Sequence, residues 1–289
     1  MWSHLASRFL SLMERALECA CMPEFASGFG GGGVTRTYGS VAASSRATVI
    51  TTSATANTKG SWVELTASTT FTSNWIKVDI SGVDVPGLLD IGIGAGGSEQ
   101  VIIPNLQFNS RAQGGAYGPY LFPILIPAGT RIAARAQDQF GTQTMQVSIE
   151  LISGTNLAGG VCPSMVSEYG ATTDSQGTSI NSGAVAHTDS SWVQITAATT
   201  RDHHWLVFAG VFSTTIAEVT LLIDIGIGAA TEQEIVSDIF VSADVTAGLT
   251  AATVHHYPIF IPSGSRLTIR ARSSATNDSQ IFYAKLYGV

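Results

Sequence analysis

The chain has 289 residues, enough for one large domain or two ordinary ones, and its 45% hydrophobic content is enough to build sizeable cores. Charged side chains make up only 12%, about half the usual share, while Gly, Ser, Thr and Ala are abundant, as in compact β proteins whose neutral surfaces are covered by partners. With 14 Lys+Arg against 21 Asp+Glu and a formal net charge of −7, the composition supplies no basic face for phosphates, which argues against a nucleic-acid binder.

The first apolar stretch, "MWSHLASRFLSLMERALECACMP", is interrupted by Arg8, Glu14, Arg15 and Glu18, so it lacks the unbroken apolar run of a signal peptide or membrane span. A soluble protein made in the host cytoplasm is expected. Trp2, Leu5, Phe9, Leu12, Met13, Ala16 and Ala20 follow i, i+3, i+4 spacing and predict a helix with one apolar stripe. Such a helix is marginal unless its stripe is buried, and the run "GFGGGG" at 28–33 supplies a tether. Residues 1–37 are therefore expected to be an anchor whose Trp2, Leu5, Phe9 and Met13 face docks into a neighbouring subunit. A translation start at Met22 is the alternative, and it removes the helix. Cys19, Cys21 and Cys162 are an odd number without metal-ligand spacing, so reduced structural thiols are expected rather than a disulfide framework.

Beyond the tether the chain repeats itself. "SWVELTA" at 61–67 returns as "SWVQITA" at 191–197, "DIGIGA" occurs at 90–95 and 224–229, and "FPILIPAGTRIAARA" at 122–136 returns as "YPIFIPSGSRLTIRA" at 257–271. Tyr38-Gly39 matches Tyr169-Gly170, Trp75 matches Trp205, and Glu99 matches Glu232. The offset drifts only from about 130 to 135, with insertions in Gly/Ser/Ala-rich loops. The reading is a tandem duplication, 38–154 and 169–289, joined by a linker at 155–168.

Each repeat reads as strands. In "WIKVDI" the residues Ile76, Val78 and Ile80 alternate with Trp75, Lys77 and Asp79, and "IPAGT" and "IPSGS" mark turns leading into further alternating runs. The expected fold is all-β: two jelly-roll-like antiparallel β-sandwiches of about eight strands each, after a short N-terminal helical and Gly-rich segment. The first DIGIGA continues as G-I-G-A-G-G and fits a phosphate-binding fingerprint, but no helical pattern follows it. The second copy lacks the last glycine. Alternation instead puts Leu89, Ile91 and Ile93 on the core face and Asp90, Gly92 and Gly94 on the other, where a bulky neighbour, one of the duplicated tryptophans, is expected to cover the glycines.

His203-His204 and His255-His256 invite a metal reading, yet adjacent strand residues face opposite ways and the first repeat has Ser73-Asn74 and Tyr120-Leu121 instead. Surface or interface histidines are expected, with no metal and no cofactor. Asp90/Asp224, Glu99/Glu232, Arg131/Arg266 and Arg135/Arg270 are repeated charges. A glycosidase carboxylate pair is disfavoured because the same acids occur in both copies, and no G-x-S-x-G elbow is present. No catalytic residue is assigned. Structural pairing is expected instead, Asp90 with Arg131 or Arg135 and Asp224 with Arg266 or Arg270.

At "DIGIGAGGSEQVIIPNL" and "FPILIPAGTRIAARAQ" the sequence resembles modules of virion structural proteins from tailed bacteriophages and phage-like particles. The resemblance covers about four-fifths of the chain and carries over no catalytic residue. It implies a spike, collar, fibre or decoration subunit located in the virion, a homo-oligomer that docks to other virion proteins. The alternative is a carbohydrate-binding module for a host-surface glycan, which aromatics such as Tyr117, Tyr120, Tyr257 or Trp205 exposed at one loop end would favour.

Overall fold

Short runs of β-branched and aromatic residues, cut by Gly- and Pro-containing turns, give the backbone no helical period to follow. The computed structural model describes residues 33–44, 46–81, 85–108, 116–153, 163–183, 185–212, 219–229, 231–244, 249–250, 253–274 and 281–289. Among these the only helical turn is a 3-10 turn at Ala42–Ser44, and no helix is long and apolar enough to cross a membrane. The expected anchor helix with Trp2, Leu5, Phe9 and Met13, and all three cysteines, lie outside the described residues.

The first repeat forms β1 (Val34–Tyr38), β2 (Ser40–Val41), β3 (Arg46–Thr51), β4 (Val63–Thr66), β5 (Trp75–Ser81), β6 (Gly87–Ile93), β7 (Gln100–Phe108), β8 (Ala116–Phe122), β9 (Ile132–Asp138) and β10 (Thr144–Ser153). One sheet runs β2-β3-β10-β5-β8, with β1 also on β10, and the other runs β4-β9-β6-β7. The second repeat forms β11 (Ser167–Tyr169), β12 (Thr178–Asn181), β13 (Val193–Thr196), β14 (Leu206–Phe212), β15 (Val219–Ile227), β16 (Gln233–Asp244), β17 (Leu249–Thr250), β18 (Thr253–Tyr257), β19 (Leu267–Ser273) and β20 (Ile281–Gly288). Its sheets run β11-β20-β14-β18, with β12 on β20, and β13-β19-β15-β16-β17.

Eight strands carry the same wiring in both repeats. Numbered from β3 or from β12, with the two-residue β17 left out, the first, eighth, third and sixth share one sheet, and the second, seventh, fourth and fifth share the other. All pairings are antiparallel, and this is the double Greek key of a jelly roll. The remaining strands are short additions. Gly39 and Gly170, at φ +76° and +115°, interrupt the first strand of each repeat, and the β16–β17 pairing adds a further edge piece.

DIGIGA lies in the middle of this architecture, on β6 and β15. Leu89 and Ile91, like Ile223 and Ile225, are fully buried in the sandwich cores. Gly92 sits beneath Trp62, where an added Cβ would lie 2.6 Å from a ring carbon, and Gly226 sits beneath Trp192, where the distance would be 2.9 Å. The strand then turns into β7 or β16, not into a helix, so the backbone offers no helix N-terminus for a pyrophosphate. Replacing Gly92 with valine is expected to lower stability by ~1–3 kcal/mol through overpacking against Trp62, read as a lower urea midpoint. An unchanged midpoint would show that the tryptophan does not need the bare strand.

One strand differs between the repeats in a way that explains how they join. β5 alternates, its outward Lys77 and Asp79 partly exposed, whereas β14 reads "LVFAGVF" and has Val207, Ala209 and Val211 buried on the face away from its own core. A strand apolar on both faces is covered on both sides. The cover is the first sandwich: Trp205, Val207, Ala209, Val211, Tyr287 and Val289 belong to the same apolar cluster as Ile102, Phe108, Tyr120 and Phe122. The linker also behaves differently from a free tether at its described end. Val166 is buried, its N–H bonded to Ile102 O at 2.8 Å, and β11 begins at Ser167 inside the expected linker.

Candidate functional site at the seam of the two sandwiches

The repeated charges are built onto a strand irregularity. Between Leu89 and Ile91 the β6–β7 register slips, leaving one extra residue on β7, and the irregularity contains Pro104 and Asn105. Proline tolerates a bulge because it has no N–H to give a ladder, and asparagine tolerates the left-handed conformation that Asn105 adopts at φ 49°. The bulge turns the Asn105 N–H onto Asp90 Oδ1 at 2.9 Å. Lys59 Nζ donates to the same oxygen at 2.8 Å and to Leu88 O at 3.1 Å, while Arg135, directly across on β9, donates from Nε to Oδ2 at 2.9 Å. Arg135 also lies 4.5 Å over the Trp62 ring. Arg131 does not reach Asp90; it pairs with Glu64 at 2.8 Å and Glu99 at 2.9 Å.

The second repeat rebuilds the frame and changes the charges. Asp238, at φ 54°, donates its N–H to Asp224 Oδ1 at 2.9 Å, Arg270 Nε holds Oδ2 at 2.8 Å, and Arg270 lies 4.5 Å over Trp192. Arg266 pairs with Glu232. Where the first repeat has Lys59, Val101, Asn105 and Gln137, the second has Asp189, Glu234, Asp238 and Arg272. Arg270 Nη2 accordingly reaches Asp189 at 3.1 Å and Glu234 at 2.9 Å, and Arg272 bonds Asp189 and Asp238. A charge reversal at one aligned position is met by a new arginine at another.

The first of these clusters faces a cleft of about 500 Å³ where the two repeats meet, lined by Asn57, Lys59, Asp90, Val101, Pro104, Asn105, Arg135 and Gln137 and, from the second repeat, Thr172 and Thr173. Burial pushes Lys59 down to about 8 against the pull of Asp90. Behind it, Asn105 Nδ2 donates to Glu168 at 3.0 Å, and Glu168 pairs with the fully buried Lys285. Gln137 donates to Ser175 Oγ at 2.9 Å, and Ser175 donates to Asn57 at 2.7 Å.

Deeper in the seam, Tyr287 accepts the Gln107 N–H at 2.9 Å and donates to Asn105 O at 2.8 Å. Its ring meets Tyr120 edge-on at 5.7 Å, and Trp75 and Trp205 meet edge-on at 5.3 Å. Trp205 Nε1 donates to Leu121 O at 3.0 Å, and the Leu121 N–H donates to His256 Nε2 at 3.0 Å. That bond needs an unprotonated nitrogen. Desolvation, helped by His255, holds His256 down to about 4 from 6.5. A depressed histidine adds stability that is fully present above its unfolded value and is lost as pH falls toward the folded one. The melting temperature is therefore expected to drop between about pH 6.5 and pH 4, and His256→Gln to flatten that slope. An identical slope in the variant would place the titration elsewhere.

The other expectations fare unevenly. His256 is an interface residue, but His203 is not at the surface: it is fully buried, donating or accepting at Tyr169 Oη at 2.6 Å, and burial pushes it down to about 4. No group of metal-ligating side chains occurs among the described residues. Tyr120 and Trp205 are buried rather than exposed, because both repeats bury their aromatics in the seam; Tyr257 is half-buried, and the Tyr117 side chain lies outside the described residues. Lys59, Asn105 and Tyr287 carry no repeated signal in the sequence, because each differs between the repeats.

No family model matches the chain, nor does any curated protein sequence. Among solved structures it is similar to PNGF-II, with 9% identity and a TM-score of 0.30 over 88% of this chain and 65% of that one. It is also similar to the CBM22-1–CBM22-2 tandem of Paenibacillus barcinonensis Xyn10C, with 12% identity and a TM-score of 0.27 over 90% and 92% of the two chains. For the infectious bursal disease virus Gx strain structure the values are 12% and 0.22 over 94% and 77%. The chain spans just under two thirds of the length of the first of these. No residue role is carried over from them.

Proposed function

We propose that this chain is a structural, non-enzymatic subunit of a tailed-phage virion or related phage-like particle, acting through self-association and docking to other virion proteins. The observation that carries the reading is the joining of two identically wired jelly rolls through one continuous apolar seam, which makes a rigid double building block. Jelly rolls serve as viral capsid domains, and here the chemistry of the repeated carboxylates favours a structural role over a catalytic one. Asp90 and Asp224 each accept three or two bonds from their own repeat, so these carboxylates hold strands together and are not poised for proton transfer. The sequence resemblance to virion modules points the same way. Light scattering and electron microscopy of the purified full chain are expected to show a discrete homo-oligomer, and mass spectrometry of purified particles to contain it. A strictly monomeric protein that is missing from particles would contradict the proposal.

A further inference from the structure

The two copies of the Asp–Arg–Trp frame differ in who satisfies the arginine. In the second repeat the outer nitrogen of Arg270 is held by the carboxylates of Asp189 and Glu234. In the first repeat the aligned positions are Lys59, a cation, and Val101, which is apolar, and both line the seam cleft beside Arg135. Arg135 is held to Asp90 through Nε with its guanidinium over the Trp62 ring, and it lines the cleft without the second and third carboxylates that hold Arg270. Around this cleft Lys59 and Arg135 share Asp90, Lys285 pairs with Glu168, and Asp174 follows Thr173 at the rim, whereas Arg270 and Arg272 stand against Asp189, Asp224, Glu234 and Asp238 in the other copy. At the Asp90 frame two cations share one carboxylate, whereas at the Asp224 frame two arginines meet four.

From this difference we infer that the seam cleft is a binding site for a carboxylate-bearing sugar, such as a uronic acid, whose carboxylate takes the position that the Glu234 side chain occupies beside Arg270. A carboxylate suits the planar guanidinium fork, and Lys59 adds a second cation at the same place. The rest of the lining suits a sugar ring: Asn57 Nδ2 and Gln137 Oε1, whose partner amide atoms are bonded to Ser175, and the hydroxyls of Thr172 and Thr173 supply donors and acceptors for ring hydroxyls. A volume of about 500 Å³ holds a mono- or disaccharide and lies within the ordinary range of ligand sites. The lowered Lys59 agrees with a cation kept from water without a full complement of counter-charge. This site does not depend on the virion proposal; either stands if the other fails.

The test is calorimetric titration and saturation-transfer NMR of the full chain with glucuronate, glucose, and inorganic phosphate and sulfate. Glucuronate is expected to bind with a Kd on the order of millimolar, and glucose and the inorganic anions much more weakly. Val101→Glu, which installs the carboxylate that the second repeat carries, is expected to weaken glucuronate binding on the order of tenfold or more while leaving the thermal midpoint near wild type. Thr173→Tyr narrows the cleft from the opposite repeat without touching the ion cluster, and is expected to weaken binding too. Absence of glucuronate binding, equal binding of phosphate, or undiminished binding by both folded variants would each overturn the inference.

Discussion

Replacing Asp90 with alanine is expected to destabilise the protein by ~3–5 kcal/mol, the cost of removing one partner from a buried ion pair. The size of the effect follows from what is left behind. Lys59 is largely out of water with its ammonium on Asp90 and one carbonyl, and the Asn105 N–H, turned inward by the bulge, loses its acceptor. The same change at Asp224 is expected to cost less, because Arg270 keeps Asp189 and Glu234. Chemical denaturation of both variants measures the difference. Equal losses would contradict the compensation by Asp189 and Glu234, and a loss at Asp90 below ~1 kcal/mol would mean that the cluster is no more than a surface ion pair.

Trp205→Ala is expected to cost ~3–5 kcal/mol as well, but through the seam. Its indole is 3% exposed, meets Trp75 edge-on and holds Leu121 O, so truncation opens a cavity between the sandwiches and frees a carbonyl. Because both jelly rolls keep their own cores, the loss is expected to appear as a separation of unfolding into two steps, seen by comparing tryptophan fluorescence with far-ultraviolet circular dichroism. Coincident transitions with little loss of stability would show that the seam contributes little.

What the sequence made readable was whatever the repeats share. The strand period of "WIKVDI", the turns at "IPAGT" and "IPSGS", the bare glycines of DIGIGA and the alternation of Asp90 and Arg135 all follow from local chemistry, and duplication doubled each signal. The seam was hidden for the opposite reason. It is made by residues that differ between the copies: Val207 and Ala209 against Lys77 and Asp79, and Tyr287 against Glu150, its aligned position on β10. Aligning the repeats for likeness passes over these positions, although "LVFAGVF", apolar at every step, already departs from a strand with one wet face. The charge swap of Lys59 for Asp189 was visible in the same way, but only the fold shows that Val101 and Glu234 complete it. Trp205 illustrates the limit: alternation with the core-facing Leu206 and Phe208 puts it on the strand's outer face, but does not show that another sandwich covers that face.

The central claim is that two jelly rolls act as one body, and differential scanning calorimetry of the intact chain at neutral pH tests it most directly. One transition is expected, with calorimetric and van't Hoff enthalpies equal, since the second sandwich cannot detach without exposing Trp205, Val207 and Tyr287. Two resolved transitions in the unmodified chain would contradict it.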